Sequence, residues 1–587
     1  MVVASEIPAP VDPSRIQRRG RRTARRVDEW VPLVTAGPVL VWLVVMPIVL
    51  TLWSSFKPTG LVGDAGFTTG NYHKVYVEGD LLGLTVRTVV FAVGSACLAL
   101  LVALPITWLL ERTDVMGRRL LRGFVILTLA SPPLLLAISW VILFDPRIGF
   151  VNQLWTDTTG VDHALFNIYS LPGMIIVQGL SFVPTAYLIL APAFRNMDPS
   201  LEESARTSGA GLFMMIRRVL LPILRPAILS SFFLLVIVGF VVIDVPGIIG
   251  VPVRQFVLSS QIYAYLSLSA GGLPQYGAVG AMSVMFIVLL VVLGLYYQRM
   301  TRNASRFVTV TGKGFRPTRV RLGRWRWVGS AAIIAYIFVA VLLPVAALAW
   351  MSLMPYQAGF SLDRVKLLTT RNFDAVLSNP RIAEAALNSL IVAVLAAVCV
   401  AVISLGISWT VVRSRAKGRR VMDMLAFLPV AIAGTMLGSA LVTMYLVVDW
   451  IPVYGTIWII VIGFVTAYLS YGTRALNSVI AQLHPDMEDA AHIAGAGWWR
   501  TMRKITLPMI APAVIGVCVW VATNALRDAS LPLILRGREN TMITSLLWDY
   551  WIGGRATTAA AVGVLLIGVL AVLITVWQSL PRRFSND

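Results

Sequence analysis

The sequence predicts an all-α membrane protein with about twelve transmembrane helices in two pseudo-symmetric six-helix halves. The first observation is composition: 57% of the 587 residues are hydrophobic, 13% are charged, and the mean hydropathy is +0.79. Such an apolar chain is typical of a protein that crosses the bilayer several times. The second is a series of long apolar runs, and the third is a polar motif that occurs twice. The polar gaps between the runs favour helices over barrel strands.

Each transmembrane helix needs about 20 predominantly apolar residues. Twelve stretches meet this requirement, six in each half of the chain. They lie near 32–54, 83–110, 121–144, 172–194, 224–248, 277–297, 328–352, 386–412, 421–446, 454–478, 510–531 and 558–578.

The net charge of +21 does not indicate nucleic-acid binding, because the positions of the basic residues follow the expected membrane topology. Basic residues cluster in alternate gaps between the apolar stretches, at 15–26, 112–122, 299–326 and 413–420. Lys and Arg remain on the cytoplasmic side of a membrane protein. We therefore expect a multi-pass protein of the bacterial plasma (inner) membrane, with lipid as a partner and both termini in the cytoplasm.

The same pattern predicts five parts in the chain. Six spans are an even number, so the two halves have the same orientation and are related by an axis along the membrane normal. The parts are a cytoplasmic Arg-rich tail (1–30), a first half (31–298), a cytoplasmic basic linker (299–327), a second half (328–580) and a C-terminal tail (581–587).

One polar segment occurs in each half, and we name these the first polar segment (198–222) and the second polar segment (484–508). Matching residues lie 286 positions apart: Glu203-Ser204-Ala205, Gly209 and Val219-x-Leu221-Pro222 in the first, and Asp489-Ala490-Ala491, Gly495 and Ile505-x-Leu507-Pro508 in the second. Acids near the start favour a helix N-terminus, and the glycines favour a helix end. We expect an amphipathic helix–turn–helix on the inner face of each half.

An ordinary interfacial loop, packed on lipid headgroups through Trp and Arg, is the alternative for either segment alone. Two copies with one internal spacing favour docking to a symmetric partner. The segments resemble the EAA motif of ABC importer permeases, from which Ser204, Val219 and Asp489 depart.

The resemblance implies the ABC importer permease fold, with coupling helices that sit in clefts of two ATPase subunits. It also implies an extracytoplasmic substrate-binding protein as a partner. The coupling residues that it implies are Glu203, Ala205, Gly209, Pro222, Asp489, Ala490, Ala491, Gly495, Leu507 and Pro508.

The sequence contains no Gly-x-x-x-x-Gly-Lys-Ser/Thr motif, and its four histidines show no metal-ligand spacing. We therefore expect a transport subunit that is not an enzyme and has no catalytic residue, metal site or cofactor of its own. ATP and Mg would be bound by the separate ATPase.

The substrate expectation comes from a second resemblance. The linker residues 306–327, together with 243–246 and 257–263, resemble elements of fused ferric-iron-type permeases. Ferric iron is the substrate this implies, and thiamine, polyamine and aminoalkylphosphonate are alternatives within the same group. A twelve-span secondary transporter is the alternative from another class, and the paired polar segments disfavour it.

Two acids lie at near-equivalent positions toward the outer ends of the fifth and eleventh spans, Asp244 and Asp528. A charge at membrane depth is costly, so each is expected to face protein or water. They could line the translocation path and attract a cation. Alternatively, each caps a broken helix or pairs with an arginine such as Arg527.

Overall fold

The computed structural model describes most of the chain. It covers residues 36–61, 63–197, 204, 207–209, 211–267, 274–304, 320–361, 363–414, 418–448, 450–484 and 486–584. The predicted N-terminal tail, most of the basic linker and the last three residues of the predicted C-terminal tail lie outside these residues.

The chain forms two compact units that are not the two sequence halves. The smaller unit draws its residues from Met1–Met46, Ala396–Val430 and Val465–Val521. The larger unit draws its residues from Pro47–Leu395, Ala431–Phe464 and Ala522–Asp587. The division into halves, a linker and tails remains a prediction.

The first half contains eight principal helices, labelled in chain order. They are α1 (Ala36–Ser55), α2 (Leu81–Arg112), α3 (Arg118–Leu127), α4 (Pro133–Phe144), α5 (Leu171–Arg195), α6 (Ile216–Val241), α7 (Leu258–Ser267) and α8 (Tyr276–Ala304).

The second half repeats this order and adds the helix of the second polar segment. Its helices are α9 (Trp325–Leu353), α10 (Pro380–Arg413), α11 (Arg419–Phe427), α12 (Gly434–Val447), α13 (Ile457–Ile480), α14 (Asp486–Ile493), α15 (Trp499–Arg527), α16 (Ile543–Ile552) and α17 (Ala556–Phe584).

Ten helices in the described residues are long and apolar enough to cross a membrane, and up to twelve spans result if each bent pair counts as one. The straight span predicted near 121–144 is such a pair, in which the second helix turns by 93°. Ser131 is extended before Pro132 and Pro133, because a residue that precedes proline avoids the helical region. The span predicted near 421–446 is likewise divided into α11 and α12.

Small residues bring the helices of the larger unit close together. Helix α2 packs along α5 and against α6. A β-carbon at Gly179 would lie 2.7 Å from a methyl of Leu98, and one at Gly239 would lie 3.0 Å from the Ala92 backbone. Close approach through small residues is the usual way in which helices pack in lipid.

The first helix of each half contacts the bent pair of the other half. In the larger unit, α9 packs on α3 and α4. In the smaller unit, Val41–Val45 of α1 packs on α11. Each compact unit therefore contains a contact between residues of the two sequence halves.

A repeated asparagine shows that the duplication extends to side-chain detail. Asn71 donates from Nδ2 to the carbonyls of Ser55 (3.0 Å) and Lys57 (2.7 Å). Asn372, 301 residues later, makes the equivalent bonds at 2.9 and 2.7 Å. Each bond pair fixes the turn that follows the first helix of its half.

Replacing Gly179 by leucine should destabilise the protein, because the new side chain meets Leu98 on α2. Overpacking of this kind costs about 1–3 kcal/mol. Thermal unfolding in detergent would measure the loss. Gly294→Leu is the matched control, since a β-carbon there has nothing within 4 Å. Equal stability of the two variants would contradict close α2–α5 packing.

Candidate functional site

The second polar segment is a short helix followed by a glycine turn. Helix α14 is followed by a turn at Gly495, whose φ is +84°, a conformation that L side chains adopt at a cost. The amide of Ala494 donates to Ala490 O and the amide of Ala496 donates to Ala491 O, both at 3.0 Å. These bonds satisfy the terminal carbonyls of the helix.

The first polar segment has the same geometry in the residues that the structure describes. Gly209 has a φ of +80°, and the Ser208 amide donates to Ser204 O at 3.0 Å. The Met215 amide donates to Gly211 O. The equivalent amide 286 residues later, that of Thr501, donates to Gly497 O. Glu203 and Ala205 lie outside the described residues.

The face of α14 that points away from the protein is partly apolar. Ala491 is buried, whereas Ala490 is exposed and Ile493 is 85% exposed. The nearby side chains of Met487 and Trp499 are also exposed. Contiguous exposed apolar side chains are typical of a surface that contacts a partner.

An ion pair fixes the opposite face of α14. The carboxylate of Glu488 lies 3.6 Å from the Arg413 guanidinium and accepts from the Thr506 hydroxyl at 3.3 Å. Arg413 also donates to Leu483 O (2.7 Å) and Ile480 O (3.1 Å). One arginine at the end of α10 therefore holds both the end of α13 and helix α14.

The equivalent arginine of the first half, 301 residues earlier, is Arg112. It is 1% exposed and donates to Met197 O at 3.3 Å, at the end of α5. Met197 packs with Met215 and Leu220, against which Trp108 of α2 also lies. The first polar segment is therefore anchored to α2.

A buried carboxylate adds a further link that has no counterpart in the second half. Glu111 accepts from the Tyr187 hydroxyl (2.5 Å), Arg195 Nε (2.8 Å) and Arg122 Nη2 (2.7 Å). This network joins the ends of α2, α3 and α5. The position that corresponds to Glu111 is Val412.

The long helix that begins in each polar segment contains a proline near its start. The Leu221 and Leu507 amides bond five residues back, to Ile216 O and Met502 O, in one π-helical turn each. Pro222 and Pro508, which follow, are exposed and have no amide hydrogen to donate. These three predicted residues (Leu507, Pro222 and Pro508) therefore shape the N-terminal parts of α6 and α15.

Asp244 and Asp528 lie just beyond the ends of α6 and α15. Asp244 is 6% exposed, and its Oδ1 has no hydrogen-bond partner among the described residues. Asp528 Oδ1 accepts from the Ser530 amide at 2.7 Å and from the Ser530 hydroxyl. Asp528 therefore closes a side-chain turn with Ser530 immediately before the helix Ser530–Leu535, whose N-cap position is Ala529.

Comparison with known protein families identifies the family of this chain. The family described as "Binding-protein-dependent transport system inner membrane component" matches residues 97–309 and 402–585, more than half of the chain. The chain belongs to this family of permeases. Each half contributes one of the two matched regions, as expected for a fused pair.

Several curated proteins are similar to this permease. The ferric transport system permease protein FbpB of Actinobacillus pleuropneumoniae is 27% identical over 500 residues, which are 82% of this chain and 68% of that protein. The putative ferric transport system permease protein FbpB 1 of Haemophilus influenzae is 27% identical, covering 75% and 67%. The sulfate transport system permease protein CysT of Escherichia coli is 25% identical, covering 36% and 80%.

A solved structure is also similar to the permease. It is a bacterial ABC transporter involved in the import of the acidic polysaccharide alginate, with 17% identity and a TM-score of 0.36. The match covers 44% of this chain and 96% of that one.

The structure describes some of the predicted site residues of the permease and not others. Ala490, Ala491 and Gly495 lie together on α14 and its turn, which also contains Asp489. The sequence interpretation missed Arg413 and Glu488. Arg112 and Arg413 lie 301 positions apart, which is the offset between the two halves in this region, and this repeat could have indicated the role of the arginine.

Replacing Gly495 by alanine should loosen the turn after α14, because a left-handed backbone costs about 1–2 kcal/mol per L-residue. Amide hydrogen exchange across residues 486–497 should become faster. Gly497→Ala is the control, since Gly497 has neither a positive φ nor neighbours within 4 Å. Unchanged exchange in Gly495→Ala would contradict the left-handed turn.

Proposed function

We propose that this permease is the transmembrane subunit of an ATP-driven importer and is coupled to two copies of a separate ABC ATPase. The observation that supports this most strongly is the pair of polar segments. Each contains a left-handed glycine, Gly209 with φ of +80° and Gly495 with φ of +84°. A dimeric ATPase needs two matching docking elements, and the chain supplies one from each half.

The docking chemistry follows from the exposed face of the second polar segment. Met487, Ile493 and Trp499 would fill an apolar cleft in the ATPase, with the acids at the helix start near its rim. The carboxylates of Glu203 and Asp489 would pair with arginines of the ATPase. Asp489 is one methylene shorter, so the two docking contacts would differ slightly.

The mechanism that we propose is alternating access. An extracytoplasmic binding protein delivers substrate, and ATP binding closes the ATPase pair, which displaces the two polar segments. The displacement changes the relative population of inward-facing and outward-facing states. ATP and Mg belong to the ATPase, and this chain performs no covalent chemistry. Both termini would lie in the cytoplasm of a bacterium.

Ferric iron is the substrate that we propose. Two FbpB relatives with ferric transport names align with 82% and 75% of the chain. Asp244, buried and with an oxygen that has no partner among the described residues, offers the hard anionic ligand that a ferric cation favours. Sulfate and sugar permeases are relatives over shorter stretches, and thiamine, polyamine and aminoalkylphosphonate remain the alternatives to iron.

Replacing both left-handed glycines by leucine should abolish binding of the ATPase. Gly209→Leu with Gly495→Leu would distort both docking helices, and co-purification of the ATPase should fall at least tenfold. The double variant Gly211→Leu with Gly497→Leu is the control, because neither position has a positive φ. Full transport by a membrane that lacks every ABC ATPase would instead support the secondary transporter.

Replacing Asp244 by asparagine should lower the rate of ferric uptake about tenfold, because a charge near a cation in a low dielectric is worth at least 1.4 kcal/mol. Uptake of radioactive ferric iron, supplied on the binding protein, would measure this. Asp374→Asn, an exposed acid on the helix Arg371–Leu377, should leave the rate unchanged. Rapid uptake of another substrate class, with no iron uptake, would contradict the assignment to iron.

A further inference from the structure

Among the described residues, the two halves bring one pair of equivalent residues into direct contact. Tyr263 is the sixth residue of α7 and Trp548 is the sixth residue of α16, which are helices of ten residues each. Trp548 Nε1 donates to the Tyr263 hydroxyl at 3.1 Å, and the ring centroids lie 5.4 Å apart in a T-shaped arrangement. The two side chains are 4% and 1% exposed.

Contact between equivalent residues locates the axis that relates the halves. In a twofold arrangement, a residue can touch its own counterpart only beside the axis. The Tyr263–Trp548 contact therefore lies at the centre of the interface between the halves. A path for substrate between the two halves must pass this point.

The contact lies at the end of α6 opposite to the first polar segment. Helix α6 begins within the first polar segment, and its 21 residues from Leu221 to Val241 span about 31 Å. Gly247 follows, and a β-carbon there would lie 2.2 Å from the Trp548 ring. The first polar segment and the aromatic contact are thus a full helix length apart.

The two acids flank the aromatic contact. Asp244 precedes Gly247 by three residues in one helical turn, so the two lie on the same face. On the other side, the Thr544 hydroxyl donates to Asp528 O at 3.1 Å, and Thr544 lies one turn before Trp548. Separation of the aromatic pair would therefore open the way to both acids.

The helices that carry the aromatic pair are tied to the long helices of their own halves. The Leu258 amide, at the start of α7, donates to the Thr88 hydroxyl of α2 at 2.9 Å. The Ile543 amide, at the start of α16, donates to the Ser389 hydroxyl of α10 at 2.8 Å. All of these hydrogen-bonding groups are buried, so breaking either bond is costly.

Helix α2 connects this anchor to the first polar segment. Thr88 lies near one end, and Arg112, which bonds to Met197 O, lies 24 residues away at the other end, about 36 Å along the axis. Ser389 and Arg413 have the same spacing on α10. A continuous helix with a bond at each end couples the positions of its two ends.

We propose that Tyr263 and Trp548 form the gate at the end of the translocation path away from the ATPase. Helices α2 and α10 separate the pair when the polar segments are displaced. In the closed gate, the indole–phenol hydrogen bond and the two rings fill the axis. In the open gate, the rings part and Asp244 meets the incoming cation. This inference rests on the proposed function.

Crosslinking between Tyr263→Cys and Trp548→Cys tests the gate, in a chain whose Cys97, Cys399 and Cys518 are replaced by serine. A short bifunctional thiosulfonate should crosslink the pair in the nucleotide-free transporter. Trapping the assembled transporter with ATP and vanadate should lower the yield at least fivefold. The control pair, Gly94→Cys with Ile175→Cys, joins α2 and α5 of one half and should crosslink equally in both states.

The outcomes of this experiment separate the gate from the proposed function. Vanadate trapping with an undiminished Tyr263→Cys–Trp548→Cys yield overturns the gate and leaves the importer intact. Failure of any ATPase to assemble or trap on the wild-type chain overturns the proposed function itself. A lower yield on trapping, with an unchanged control pair, supports both.

Tyr263→Phe provides a second test in a variant that keeps the ring and therefore its packing. Loss of the hydrogen bond should favour the open gate and raise ATP hydrolysis in the absence of binding protein about fivefold. Tyr336→Phe removes a comparable hydroxyl, which donates to Leu180 O at 3.3 Å away from the axis, and should leave this rate unchanged. Equal rates in the two variants would contradict the gate.

Discussion

The hydrogen bond between Trp548 and Tyr263 joins one position of two homologous halves and thereby fixes where the halves meet. Any side chain at position 247 would clash with the Trp548 ring, so this position requires glycine. The amides of Leu258 and Ile543, five residues before the aromatic pair, are held by hydroxyls of α2 and α10. The short helices that carry the aromatic pair are therefore hydrogen-bonded to the long helices α2 and α10 of their own halves.

The same long helices also reach the polar segments. Arg112 and Arg413 bond to carbonyls at the ends of α5 and α13, and Arg413 also holds Glu488 of α14. Each anchor uses a charged donor at partly or fully buried carbonyls, which makes it stronger than a neutral bond. In the first half, α2 therefore bonds both to the start of α7 and to the residue that precedes the first polar segment.

The sequence was sufficient for features that depend on local chemistry. Apolar length predicted the spans, and the repeated glycines predicted the turns at Gly209 and Gly495, because only glycine enters that backbone region cheaply. Features that depend on distant residues were missed. The 93° turn between α3 and α4 lies within one continuous apolar run. The Arg413–Glu488 pair and the Tyr263–Trp548 contact join residues 75 and 285 positions apart.

An experimental structure of the whole transporter, trapped with ATP and vanadate, tests the central claim most directly. The measured quantity is the distance between Trp548 Nε1 and the Tyr263 hydroxyl. We predict that it increases well beyond hydrogen-bond length, while the bonds from Leu258 to Thr88 and from Ile543 to Ser389 persist. A trapped transporter whose polar segments are seated in the ATPase, with the aromatic hydrogen bond still formed, would contradict the account.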